Sequence, residues 1–239
     1  MKKIFALFGI LAILSSADAK ESGPGNGGIV NVCADFDKDE IQHIYKIEPL
    51  DVYDTQKRGI DLLTSEELYT KQIESFLKRV KIITNVFHAD LEKISRILPG
   101  NLIPHPAHQL KVTDVLESDL PHAKEYCGTN GSYKALPVFQ YMDDVTAFSK
   151  GERLDLTDLV NDKLLFNSEL FEALSEFNKA VITAHELVYT AIRFRLNRNY
   201  QQAKPETSRL ARKLVGFFFA RELSEAQKKE IRLKISTIY

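Results

Sequence analysis

Ala180-Val181-Ile182-Thr183-Ala184-His185-Glu186-Leu187-Val188-Tyr189 is the stretch on which the reading of the chain turns. At about 100° per residue, Val181, Ala184, Val188 and Ile192 fall on one apolar stripe of a helix. His185 lies on the edge of that stripe, and Tyr189 follows one turn later on the same side. Glu186 falls about 100° further round, beside Ile182 and Arg193. Ser175 is placed to cap this helix, which the pattern carries to about residue 198. Helical signals surround it. Asn167 or Ser168 caps a short helix before it, and Pro205 suits the first turn of the next. Ser224-Glu225-Ala226-Gln227 has the spacing of a capping box that opens a last, charged helix.

Strand signals lie before residue 167. Residues 29–33 read as a short strand and 41–51 as another, with Pro49 and Asp51 marking its end or a turn toward a helix. Residues 136–142, rich in aromatic and branched side chains, and the apolar run at 163–166 add two more. Between these groups, Thr64-Ser65-Glu66-Glu67 has capping-box spacing. Apolar residues then recur in steps of three and four from Tyr69 to Leu98, until Pro99-Gly100 stops the pattern. This predicts a helix over about 65–98, roughly 50 Å long if unbroken, with Thr84-Asn85 as the place where it would bend or break. The fold class expected is α+β: a small mixed sheet, that long helix, and a helical C-terminal half in one domain over 29–239.

Residues 1–19 have the parts of an export signal. Lys2 and Lys3 precede an eleven-residue apolar run, and Ala17-Asp18-Ala19 is a small-x-small cleavage pattern. That run is shorter than the ~20 residues a bilayer-spanning helix needs, and no later stretch qualifies. The exported protein would start at Lys20, with a flexible, glycine-rich N-terminus over 20–28, and reside in the periplasm or outside the cell. The chain carries a net charge of −1, and loss of two lysines and one aspartate with the signal leaves −2. Near-neutrality gives no electrostatic case for nucleic acid. Cys33 and Cys127 are the only cysteines. In an oxidising compartment an even count favours one disulfide, the alternative being two separate buried thiols.

His followed by Glu on an apolar helix is the first half of H-E-x-x-H, in which two imidazoles a turn apart hold zinc and the carboxylate polarises a bound water. The second histidine would stand at 189, where this chain has tyrosine. A phenol with a pKa near 10 is a costly metal ligand. His185 and Glu186 are therefore candidates for metal ligand and catalytic base, with Tyr189 a poor third, and zinc is the only cofactor the pattern raises. His105 and His108 form the other close pair, in a proline-rich loop. Against this stands a reading in which His185 and Tyr189 are buried polar residues bonded to each other or to the sheet, and Glu186 pairs with Arg193. The arginines at 193, 195, 198, 209 and 212 form either a polar outer face or a surface for an anionic partner.

Several separated features occur in one order: Gly25-Asn26-Gly27-Gly28, Cys33, Cys127, the helix with His185-Glu186 and Tyr189, and Ser208-Arg209-Leu210-Ala211-Arg212 leading into Leu214-Val215-Gly216. In these the chain resembles a group of uncharacterised predicted-exported proteins of Bdellovibrio-type predatory Gram-negative bacteria. That group often has Asp after its Gly-Asn-Gly-Gly, where this chain has Ile29. The resemblance implies export and no particular activity. Over about 136–198 the chain is also distantly similar to a degenerate zincin-type peptidase core, on His185-Glu186 alone. The expectation is an exported protein, non-catalytic or degenerate-peptidase-like, that binds a cell-envelope component or protein. The alternative is a zincin-like metal-dependent hydrolase with further ligands outside the motif.

Overall fold

The computed structural model describes residues 26–105, 110, 112, 115–141, 164–196 and 205–239. Strand β1 (Asn26–Asp37) turns back into β2 (Glu40–Pro49) through Lys38 and Asp39, both at positive φ, as a tight two-residue hairpin requires. β4 (Ser132–Tyr141) pairs antiparallel with the other side of β1, β5 (Leu164–Phe166) with β4, and β3 (Leu102–Pro104) runs parallel to β5. The result is a mixed five-stranded sheet in the order β2-β1-β4-β5-β3. All its strands precede residue 167, as expected, and the class is α+β.

Several boundaries differ from expectation: the strand expected at 29–33 runs over Asn26–Asp37, and the one expected at 41–51 ends at Pro49, with Leu50 and Asp51 already in a helix. The glycine-rich start does not remain irregular up to residue 28: Asn26 and Gly27 already pair with Gln140 and Phe139. Gly28, at φ +37°, runs so close to the helix that carries Ile182 that a Cβ there would collide with Ile182 Cγ1. Glycine here admits a helix against the strand. The expected long helix is two, α2 (Tyr69–Ile83) and α3 (Asn85–Ile97), separated by Thr84 in extended backbone (φ −157°, ψ 114°). The break lets Ile73, Phe76 and Val80 on one side, and Phe87, Leu91 and Ile94 on the other, enter the same core.

The start of α2 also departs from its local signal. Gln72 Nε2 donates to the carbonyls of Ser65 and Glu67, and Ser65 Oγ accepts from the Glu67 amide, so 65–67 is held as a turn. The cap comes instead from across the core, where Glu176 Oε2 accepts from the Tyr69 amide at 2.8 Å.

The remaining helices follow their signals. Asn167 caps α5 (Ser168–Glu172), Ser175 bonds the Asn178 amide at the head of α6 (Glu176–Leu196), and α7 opens at Pro205 (Pro205–Phe219). Ser224 and Gln227 make both bonds of the capping box that opens α8 (Glu225–Ser236). The turn toward a helix offered at Pro49 and Asp51 opens α1 (Leu50–Lys57), directly after β2, whereas the short α4 (Ala123–Cys127) was not foreseen. No helix among the described residues is long and apolar enough to cross a membrane.

α6 is the centre of the molecule. It packs on α1, α2, α3, α7 and β1, and every residue from Ala184 to Arg193 is buried. A single stripe with a polar edge was expected. Burial all round follows from the sheet covering one side and helices the others.

Candidate functional site

From Ala184 onward the stretch 180–189 is therefore interior, and His185 and Glu186 have interior partners. His185 is 2% exposed, and its Nδ1 lies 2.8 Å from Asp51 Oδ1. An ionised carboxylate has no proton to give, so the pair requires Nδ1–H on the imidazole. Asp51 lies in the first turn of α1, where the helix dipole favours negative charge. Its side chain is 1% exposed, and Oδ2 has no hydrogen-bond partner among the described residues.

The rest of the motif is equally enclosed. Tyr189, at the position of the missing second histidine, is fully buried and stacks on His185 with ring centroids 5.9 Å apart and planes 19° from parallel. Glu186 is 0% exposed, and its Oε1 accepts from Thr190 Oγ1, one turn on, at 3.1 Å. The Arg193 guanidinium lies 5.7 Å over the Tyr189 ring. Of the histidines proposed as further ligands, His108 lies outside the described residues. Among the described residues no three His, Cys, Asp or Glu side chains converge on a point that would hold a metal ion.

What the sequence reading missed is the role of α1, for which it had only a turn toward a helix at Pro49 and Asp51. Asp51, Asp54 and Thr55, spaced i, i+3, i+4, share one face, and each meets a different residue of the helical half. Asp51 takes His185, and Asp54 Oδ2 accepts from Arg212 Nε at 2.7 Å. Thr55, whose hydroxyl donates to the Asp51 carbonyl, fills the space over Gly216 of α7. The available signal was Asp-x-x-Asp-Thr two residues after a strand-ending proline, but eight residues of weak amphipathicity show neither how far the helix runs nor what it touches.

From Asp54 the polar seam continues outward. Arg212 is 2% exposed, and it donates from Nη1 to Ser208 Oγ at 2.9 Å and from Nη2 to Asp119 Oδ2 at 2.8 Å. Arg209 grips the same Asp119 carboxylate through Nε and Nη2. Burial lifts the Asp54 carboxyl above its ordinary value, with Asp51 adding to the effect against the opposing pull of Arg212 and Arg58. Asp119 goes the other way: burial disfavours its charge, but the bonds and field of Arg209 and Arg212 outweigh it and hold the carboxyl below the usual range. Arg195 is also taken up internally, in a fork to Asp90 at 2.8 and 2.9 Å. Three arginines offered as a surface for an anion thus have carboxylates of this chain as partners; Arg198 lies outside the described residues.

The opposite face of β1 carries the cysteines. Cys33 and Cys127 form a disulfide that fixes α4 across the sheet. Beside it, Tyr133 Oη donates to Asn31 Oδ1 at 3.0 Å, and the rings of Tyr126 and Tyr133 meet edge to face at 5.8 Å. Burial, reinforced by Glu48, drives the Tyr126 hydroxyl far above its ordinary pKa. No protein-family model, no curated protein and no solved structure matches the chain.

Proposed function

We propose that this is an exported, non-catalytic protein of the cell envelope, degenerate-peptidase-like in the His185-Glu186 sequence, and that it acts by binding an envelope component or protein. One observation carries the non-catalytic half of this reading. The imidazole that would hold a metal sits in the interior at 2% exposure with its Nδ1 engaged by Asp51. A water-activating carboxylate must also reach a substrate-facing water, whereas Glu186 is at 0% exposure with Thr190 as a partner. The export half rests on residues 1–19 and is supported by the Cys33–Cys127 disulfide, a bond suited to an oxidising compartment.

A metal-dependent hydrolase is the second reading, and one observation favours it. A carboxylate on Nδ1 is the arrangement that orients a metal-ligating imidazole through its other nitrogen. The donor set in hand fits zinc poorly, with Tyr189 stacked where the second imidazole would be. Metal analysis of protein purified without chelators separates the two. Substoichiometric zinc, unchanged in His185→Ala, is the expected result. Stoichiometric zinc that disappears in His185→Ala would overturn the non-catalytic reading. For export, the protein recovered from the periplasm or medium should begin at Lys20, and full-length protein retained in the cytoplasm would refute it.

A further inference from the structure

The Asp119 carboxylate receives hydrogen bonds from two guanidiniums at once, and the turn that presents it lies at the surface. Residues Glu117–Asp119 form a single 3₁₀ turn with no buried residue, and Leu116 beside it is 42% exposed. Its backbone bonds, Asp119 N to Leu116 O and Leu120 N to Glu117 O, are local to the turn. Pro121, just beyond, is buried and fixes where the turn rejoins the body. Among the described residues, the hydrogen bonds that tie the turn to α7 are those of Arg209 and Arg212 to Asp119.

The receiving side is built independently of the turn. Arg212 is held rigid by Asp54 and Ser208, and Arg209 is partly open to solvent, its side chain 43% exposed. Two guanidiniums with one fixed in place are the geometry that grips a carboxylate.

We propose that Arg209 and Arg212 form a carboxylate-binding clamp that the chain's own Asp119 occupies, with the turn at 117–119 as its detachable cover. The ligand class is a small molecule or chain end bearing a free carboxylate, which displaces Asp119 by competing for the same donors. Conversely, removing the Asp119 carboxylate vacates the clamp for an added one.

The probe is sodium acetate against sodium chloride at equal ionic strength. In Asp119→Ala, acetate should raise the melting temperature by about 2–4 °C over chloride, and Asp119→Ala/Arg209→Ala should lose that difference. In the wild type, scission of the Glu117–Ser118 bond by a glutamate-specific protease should accelerate more in acetate than in chloride, since cleavage follows the open population. This second measurement stands even where Asp119→Ala folds poorly. Equal effects of the two salts, in the variant or on wild-type cleavage, would overturn the proposal and leave Asp119 as an ordinary structural ion pair.

Discussion

His185→Ala is the substitution that tests the interior reading of the central helix most directly. It removes the partner of Asp51 Oδ1 on a carboxylate that is 1% exposed and whose Oδ2 already has no hydrogen-bond partner among the described residues. A buried charge stripped of its counterpart costs about 3–5 kcal/mol. The vacated ring space beside Tyr189 adds about 1 kcal/mol or more, depending on how far the stack collapses. Asp51→Asn is the mild counterpart. Its amide oxygen still accepts the Nδ1 proton, so about 1–2 kcal/mol is lost with the charge assistance. The pair Asp51→Ala/His185→Ala should cost less than the two single alanines together, by a coupling of about 1–3 kcal/mol. Urea unfolding followed by far-ultraviolet circular dichroism at pH 7 reads all four proteins from their midpoints at a common slope. A His185→Ala cost below about 1 kcal/mol, or alanine costs that simply add, would refute the claim that the pair is a structural tie.

Three further outcomes follow from the same geometry. Replacing Cys33 and Cys127 by alanine opens a crosslink with a sequence separation of 94; chain entropy puts the loss at about 4–5 kcal/mol in urea unfolding, and a loss under about 1 kcal/mol would contradict it. Gly216→Ala should destabilise despite its better helix propensity, because the new Cβ lands on Thr55, within 3.1 Å of Cγ2 and 3.2 Å of Cβ as well as against Oγ1; overpacking of this kind costs about 1–3 kcal/mol, and Thr55→Ala in the same chain should recover most of it. The Glu176 carboxyl is held below its ordinary value first by the Tyr69 amide and then by Lys179. A depressed folded-state pKa means its cap is intact at neutral pH and is lost only as pH falls through that lowered value. The Tyr69 amide proton resonance should accordingly titrate with a midpoint under the ~4.3 of a free glutamate, and the titration should vanish in Glu176→Gln.

Much of the fold was legible where local chemistry and tertiary packing agree. Ser224-x-x-Gln227, Asn167 and Ser175 mark helix starts that the structure keeps because their bonds close within one turn, and Pro205 marks another because its fixed φ suits a first helical position. The reading failed where a distant group overrode a local one. Thr64-x-x-Glu67 lost its capping role to Gln72, which holds that segment as a turn, and to Glu176, which takes over the Tyr69 amide from 107 residues away. A thirty-residue apolar face was visible, but periodicity alone does not reveal that Thr84 is extended. At the candidate site, the amphipathic pattern placed His185, Tyr189 and Glu186 correctly on their helix. It missed Asp51, because α1 has only eight residues and its meaning lies in what it touches.

That short helix changes how the separated motifs are understood. His185, the Ser208–Arg212 segment and Gly216 are far apart in sequence, yet they meet α1 at Asp51, Asp54 and Thr55 within two turns. Gly28 at the other end of the chain performs the matching service for α6, by letting Ile182 lie against β1. Each of these residue types is thus accounted for by close approach of two elements or by a buried charge needing a partner. In sequence, a structural and a catalytic pair of histidine and glutamate on an apolar helix look alike because both uses need the same thing, a polar side chain fixed in a dry place. What distinguishes them is the direction in which the remaining polar atoms are open. In this chain Asp51 and Thr190 face inward onto His185 and Glu186, while the partly exposed Arg209 and the Asp119 it grips lie at the outer end of the same seam. Chemistry with a partner from solution is therefore better sought at that outer end than at the histidine.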